Sequence, residues 1–257
     1  TGMTRASPRP NFNSSNLLRF LAGLSIADLP ESRQSFAERL GEWVDFTDAI
    51  TLLAALGPPA GAAAPMPRGE LAGALAAAEA DCEQIRSTLV NSIVRSCTSG
   101  GGAGRDAAKA AHVKGDLAAG GSAALLRIHQ ALQREMDGAL RPLRESLRAT
   151  LARAGPGMQR LAALDAALDK VLWVRERNLL ATLPAMLEKR YEQLRAAQAQ
   201  AAGGGDRPDR PDACPQPAIA EARFRDELQR ALLAELDLRL QPVLGLMDAL
   251  RNEAARQ

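Results

Sequence analysis

Three carboxylates recur along one side of a helix that is predicted over residues 31–56. Paired carboxylates can act in acid–base catalysis or bind hard metal ions. Glu38, Glu42 and Asp45 are spaced by four and three residues, so they share one helix face. No histidine accompanies them, and they lie opposite the apolar residues of the same segment. We interpret them as a solvated surface rather than as a catalytic or metal site.

Other residue types that carry chemistry are present, but their spacing matches no known site. The run 100–102 of three glycines lacks the preceding strand and the correctly placed lysine of a phosphate-binding loop, so it is predicted to be a linker. His129 falls on a leucine stripe, which favours a core or interface position. Cys82, Cys97 and Cys214 show no metal-type spacing and are predicted to be reduced thiols. We therefore predict no catalytic residue, no cofactor and no metal, and a chain that is not an enzyme.

A ridge of arginines is the most informative charge pattern. Its members recur every seven residues opposite a leucine stripe, with one further arginine alongside: Arg127, Arg134, Arg141 and Arg148, and Arg144. Residues 122–202 contain 13 lysines and arginines against 8 acidic residues. Such a ridge could follow a nucleic-acid backbone, dock an acidic partner helix, or form a solvated face. Asp137 and Glu145 interrupt it, and each is spaced to pair with Arg141 at four residues.

Two further arginines fall on the apolar side of their own helix. Arg175 and Arg190 lie among leucines on either side of Pro184. They could extend their charged ends to water beside the break that a proline creates, or they could meet carboxylates of a partner. We therefore add both to the candidate contacts with a partner or with nucleic acid.

The elements that must position these residues are predicted to be helices. The chain has 257 residues, of which 46% are hydrophobic but only 3% are aromatic, so alanine and leucine form most of the core. Sandwiches, barrels and parallel sheets use β-branched and aromatic residues heavily, and this composition disfavours them. The net charge of +2 gives no overall attraction to nucleic acid or to an anionic membrane. The prediction is an all-α fold.

The segment 31–56 is predicted to be one amphipathic helix. Its apolar residues advance by three and four along one face: Phe36, Leu40, Trp43, Thr47, Ile50 and Ala54. We expect Phe36, Leu40 and Trp43 to be buried there as structural anchors.

Leucine stripes with helical spacing continue through the rest of the chain, over residues 125–147, 161–187 and 228–250. Pro142, Pro184 and Pro242 each lie within one of them, and a proline inside a helix removes a backbone hydrogen bond. Each is therefore predicted to kink its helix or to start a new one. The natural architecture is a set of long, proline-kinked amphipathic helices packed as hairpins or a bundle.

Clusters of glycine and proline divide the chain into five predicted segments. These are an N-terminal helical block 1–57, a helix with Ala/Gly/Pro-rich linkers 58–121, a central helical hairpin 122–202, a flexible linker 203–217 and a long C-terminal helix 218–257. No stretch of about 20 apolar residues occurs, so we predict that the chain does not itself span a membrane. With no signal-peptide core at the start, the expected location is the cytoplasm.

Three blocks of the chain resemble an uncharacterised helical family of beta-proteobacteria, and they occur in that family's order. They are SRQSFAERLGEWVDFTDAITLLAAL over Ser32–Leu56, VRERNLLATLPAMLEKRYEQLR over Val174–Arg195 and FRDELQRALLAELDLRLQPVLGLMDALRNE over Phe224–Glu253. The family has no known catalytic motif that could be transferred to this chain. Its genes lie beside a MotA/TolQ-like channel and an OmpA/MotB-like peptidoglycan-binding protein, an arrangement that resembles a Zorya-type antiphage defence system.

The resemblance implies that the chain is a cytoplasmic, non-enzymatic assembly or effector subunit of such a defence system. A proton motor in the membrane drives systems of this kind. The partner that it implies is a second small helical protein of the same gene group. A MotA/MotB-like membrane complex and a second copy of this chain are further candidate partners. The alternative function, which comes from the residues, is a nucleic-acid-binding effector that uses the arginine ridge to contact DNA.

Overall fold

A computed structural model describes residues 16–24, 41–57, 65–98, 122–203 and 217–256, and these ranges are helical with no strand. We number the helices α1 to α7: Asn16–Gly23, Phe46–Leu56, Arg68–Thr98, Ser122–Ala154, Pro156–Leu180, Leu183–Gly203 and Pro217–Arg256. The predicted all-α fold is confirmed for this part of the chain. None of these helices is both long enough and apolar enough to cross a lipid bilayer.

Helix α7 is the centre of the bundle, because α1, α3, α4 and α6 all pack against it. Its buried side chains recur every three or four residues, which keeps them on the inner side of the helix: Phe224, Leu228, Leu232, Leu236, Leu240, Val243, Met247 and Leu250. A matching stripe on α4 packs into the same core: Leu132, Met136, Leu140, Leu143, Leu147 and Leu151. The ring of Phe224 meets that of Tyr191 of α6 edge to face, with centroids 5.1 Å apart.

The prolines within the leucine stripes have two different effects. Pro184 lies in the first turn of α6, directly after the break that ends α5 at Leu180, so it starts a new helix. Because proline has no N–H, the Leu180 carbonyl loses its usual donor, and the Gln133 side chain of α4 donates to that oxygen instead at 3.4 Å. Pro142 and Pro242 lie inside α4 and α7, which continue through them.

The N-terminal segment departs from the single helix predicted over residues 31–56. Residues 41–43 are helical, but the chain leaves the helix at positions 44 and 45, and α2 begins at Phe46. The reason is a capping box, in which the Asp45 carboxylate accepts from the Asp48 backbone N–H at 2.7 Å and the Asp48 side chain accepts from the Asp45 N–H. A cap of this kind stabilises a helix start rather than a helix interior.

Two of the three predicted anchors, Phe36 and Leu40, lie outside the described residues. The third, Trp43, is half-buried rather than fully buried. The part of the predicted buried face that belongs to α2, which consists of Thr47, Ile50 and Ala54, is exposed to solvent. The apolar side of this segment therefore points outward in α2.

Candidate interaction surfaces

Helix α2 carries apolar residues on two opposite sides, but it packs with only one of them. It lies against α5, and the partly covered residues Asp48, Thr51, Leu52 and Ala55 share that side. The other side carries four large apolar residues whose exposed fractions are 82%, 53%, 71% and 56%: Phe46, Ile50, Leu53 and Leu56. We call these four residues the outer face of α2. No residue of α2 is buried.

The outer face of α2 is unusual for a helix of this composition. A helix that is apolar all round is normally buried on all sides. The four side chains present an apolar surface on the order of 500 Å², and patches of this size on soluble proteins often mark an interaction site. Sequence periodicity did not reveal this surface, because apolar residues on both sides of α2 satisfy the helical pattern whichever side faces inward.

Two members of the arginine ridge bind carboxylates of their own chain. Arg144 contacts Asp165 of α5 with two nitrogens at 2.6 and 2.9 Å and Asp169 with a third at 2.7 Å. Arg148 contacts the same two carboxylates at 2.6 and 2.8 Å. All four side chains are less than one-third exposed. This cluster joins α4 to α5, so Arg144 and Arg148 are neutralised within the fold.

The other ridge members remain on the surface of α4. Arg127, Arg134 and Arg141 are exposed at their seven-residue spacing. The Arg141 guanidinium lies 4.7 Å from the centroid of the Trp173 ring, which is a cation–π contact across to α5. Asp137 does not pair with Arg141, as the four-residue spacing indicated, but forms an ion pair with Arg239 of α7.

The Arg144–Arg148 cluster gives a pH-dependent prediction. Burial alone would raise the pKa of Asp165, but hydrogen bonds from Arg144 and Arg148 outweigh it and lower the pKa below the ordinary value of 3.8. A carboxyl whose pKa is lowered on folding adds stability above its unfolded pKa and loses it as the pH falls through its folded pKa. We expect Asp165→Asn to cost about 2 kcal/mol at neutral pH.

The difference in free energy of unfolding between the wild type and Asp165→Asn should be constant above about pH 5 and should become smaller below about pH 4. Urea unfolding of both proteins between pH 2.5 and 7 measures this gap. Asp81→Asn, which changes an exposed aspartate of α3, is the matched control and should show a small, flat difference. A gap that is independent of pH down to pH 2.5 would contradict the assignment of the ion pairs.

A buried polar network connects α4 to α7 within the apolar core. His129 and Glu235 are completely buried, and the His129 Nε2 atom lies 3.3 Å from Glu235 Oε2, although the angles do not make this contact a hydrogen bond. The other carboxylate oxygen, Oε1, accepts from Gln133 at 2.9 Å and from Arg239 at 2.9 Å. Arg239 also contacts Asp137, so the network runs from the core to the surface.

The network favours an ionised Glu235. Burial would raise its pKa, but the interactions with His129 and Arg239 outweigh it, and the pKa is lowered. A cleft of about 310 Å³ borders the outer end of the network at Asp137 and Arg239, but His129 and Glu235 do not line it. The network therefore links α4 to α7 inside the core.

The last two sequence candidates lie near the α5–α6 break. Arg190 makes a two-pronged ion pair with Glu227 of α7, and both nitrogen–oxygen distances are 2.9 Å. Its carboxylate partner is therefore in its own chain. Arg175 has a buried Nη1 atom without a hydrogen-bond partner among the described residues. Within the same residues, no group of histidine, cysteine, aspartate and glutamate side chains is arranged to hold a metal ion.

Comparison with known proteins identifies the family of the chain. No curated protein and no solved structure matches it. A family model with the description "Protein of unknown function (DUF3348)" matches residues 3–252, which is nearly the whole sequence. The chain therefore belongs to the DUF3348 family of proteins of unknown function.

Proposed function

We propose that this chain is a non-enzymatic helical assembly subunit that docks on another protein through the outer face of α2. The observation that carries the proposal is the exposure of Phe46, Ile50, Leu53 and Leu56 on one side of a helix that packs on α5 with the other. Protein interfaces have apolar centres of this kind, in which a few large side chains provide most of the binding energy.

The rest of the bundle supports a scaffold role. Ion pairs join α4 to α5 through Arg144 and Arg148, and the polar network joins α4 to α7 through Glu235. Helix α2 packs on α5, and α5 is itself held in the bundle by the ion pairs to α4. These contacts therefore support the helix that carries the outer face. An interface presented on a rigid scaffold loses less entropy on binding.

We further propose that the subunit works in the cytoplasm, in a Zorya-like antiphage defence system that a membrane proton motor drives. The support is the resemblance of the blocks Ser32–Leu56, Val174–Arg195 and Phe224–Glu253 to a family with that gene neighbourhood. The first of these blocks contains the whole of α2. The proposed partner is the second small helical protein of the same gene group.

The alternative function is DNA binding through Arg127, Arg134 and Arg141, which remain exposed on α4. Three cations could contact a phosphate backbone, but Arg144 and Arg148 are held by carboxylates of α5. The ridge therefore presents a weaker positive surface than its sequence indicates, and we favour protein docking.

The proposal predicts that Phe46→Ser with Leu53→Ser abolishes co-purification of the partner. Both residues are well exposed, so the substitutions should leave helix content and thermal stability unchanged. Loss of two central apolar contacts should weaken binding at least tenfold. Affinity purification from cells that carry the neighbouring genes measures the outcome. The control changes two exposed apolar residues of α7, Ile219→Ser with Leu244→Ser, and should retain the partner.

A second variant, in which Arg127, Arg134 and Arg141 are all alanine, separates the two functions. Under our proposal it retains the partner. If instead the α2 variant keeps its partner while the arginine variant loses DNA retention, the DNA-binding alternative replaces the docking proposal. In that case the slope of log affinity against log salt should fall by about 0.9 for each phosphate that the variant no longer neutralises.

A further inference from the structure

No further inference is drawn: the strongest candidate, the cleft of about 310 Å³ where α4, α5 and α7 meet at the end of α5, is lined by side chains of both charges (Arg134, Arg177, Arg239, Asp137 and Glu176), and this mixture favours no class of ligand.

Discussion

Replacement of Phe224 by alanine is expected to lower the free energy of unfolding by about 3–5 kcal/mol. Phe224 has no exposed surface, and its ring packs edge to face on Tyr191, so it joins α7 to α6 inside the core. Alanine would leave a cavity that helices held on several sides cannot close. Urea denaturation monitored by circular dichroism should show a lower midpoint with an unchanged slope.

The matched control is Phe46→Ala, the same substitution on an exposed ring of α2. Because 82% of Phe46 is exposed, its removal should change the free energy of unfolding by less than about 0.5 kcal/mol. The contrast between the two phenylalanines tests where the core lies. Equal losses for both variants would mean that the outer face of α2 is covered within the folded chain.

Replacement of Glu235 by alanine should be comparably severe, with a loss of about 3–5 kcal/mol. The carboxylate is fully buried, it is the acceptor for Gln133 and the ion-pair partner of Arg239, and its Oε2 atom lies 3.3 Å from His129 Nε2. Removal of the Glu235 carboxylate leaves the polar groups of Gln133, Arg239 and His129 buried without their partner. The free-energy cost of these unpaired groups exceeds the net stabilisation that the intact network provides. Glu235→Gln should cost less, because it keeps the shape and one acceptor oxygen. Denaturant unfolding at pH 7 measures both.

The control for Glu235 is an exposed acidic residue on the same helix. Asp226 pairs with Arg230 at four-residue spacing, and both side chains are more than half exposed. Asp226→Ala should therefore cost less than about 1 kcal/mol, since solvent screens such pairs. A loss from Glu235→Ala as small as that from Asp226→Ala would contradict the buried network.

Local patterns in the sequence determined the helices. Leucine at spacings of three and four predicts α4 and α7, because one turn of helix brings such residues to the same side wherever the helix lies. The missing N–H of proline is equally local, but it does not decide the outcome by itself, because a new helix starts near Pro184 whereas α4 and α7 continue through Pro142 and Pro242. The sequence did not predict the break before α2, because the spacing of Asp45 and Asp48 is compatible with one helix face as well as with a capping box.

Only the tertiary structure decided which polar residues meet and which apolar residues stay exposed. Asp137 can reach Arg141 along its own helix but instead pairs with Arg239, and Arg144 and Arg148 find carboxylates across the α4–α5 contact. Ion pairs between helices depend on which helices pack and in what register, and no spacing within one helix specifies either. The outer face of α2 has the same origin, because apolar residues lie on both sides of the helix and the packing of α5 decides which side is covered.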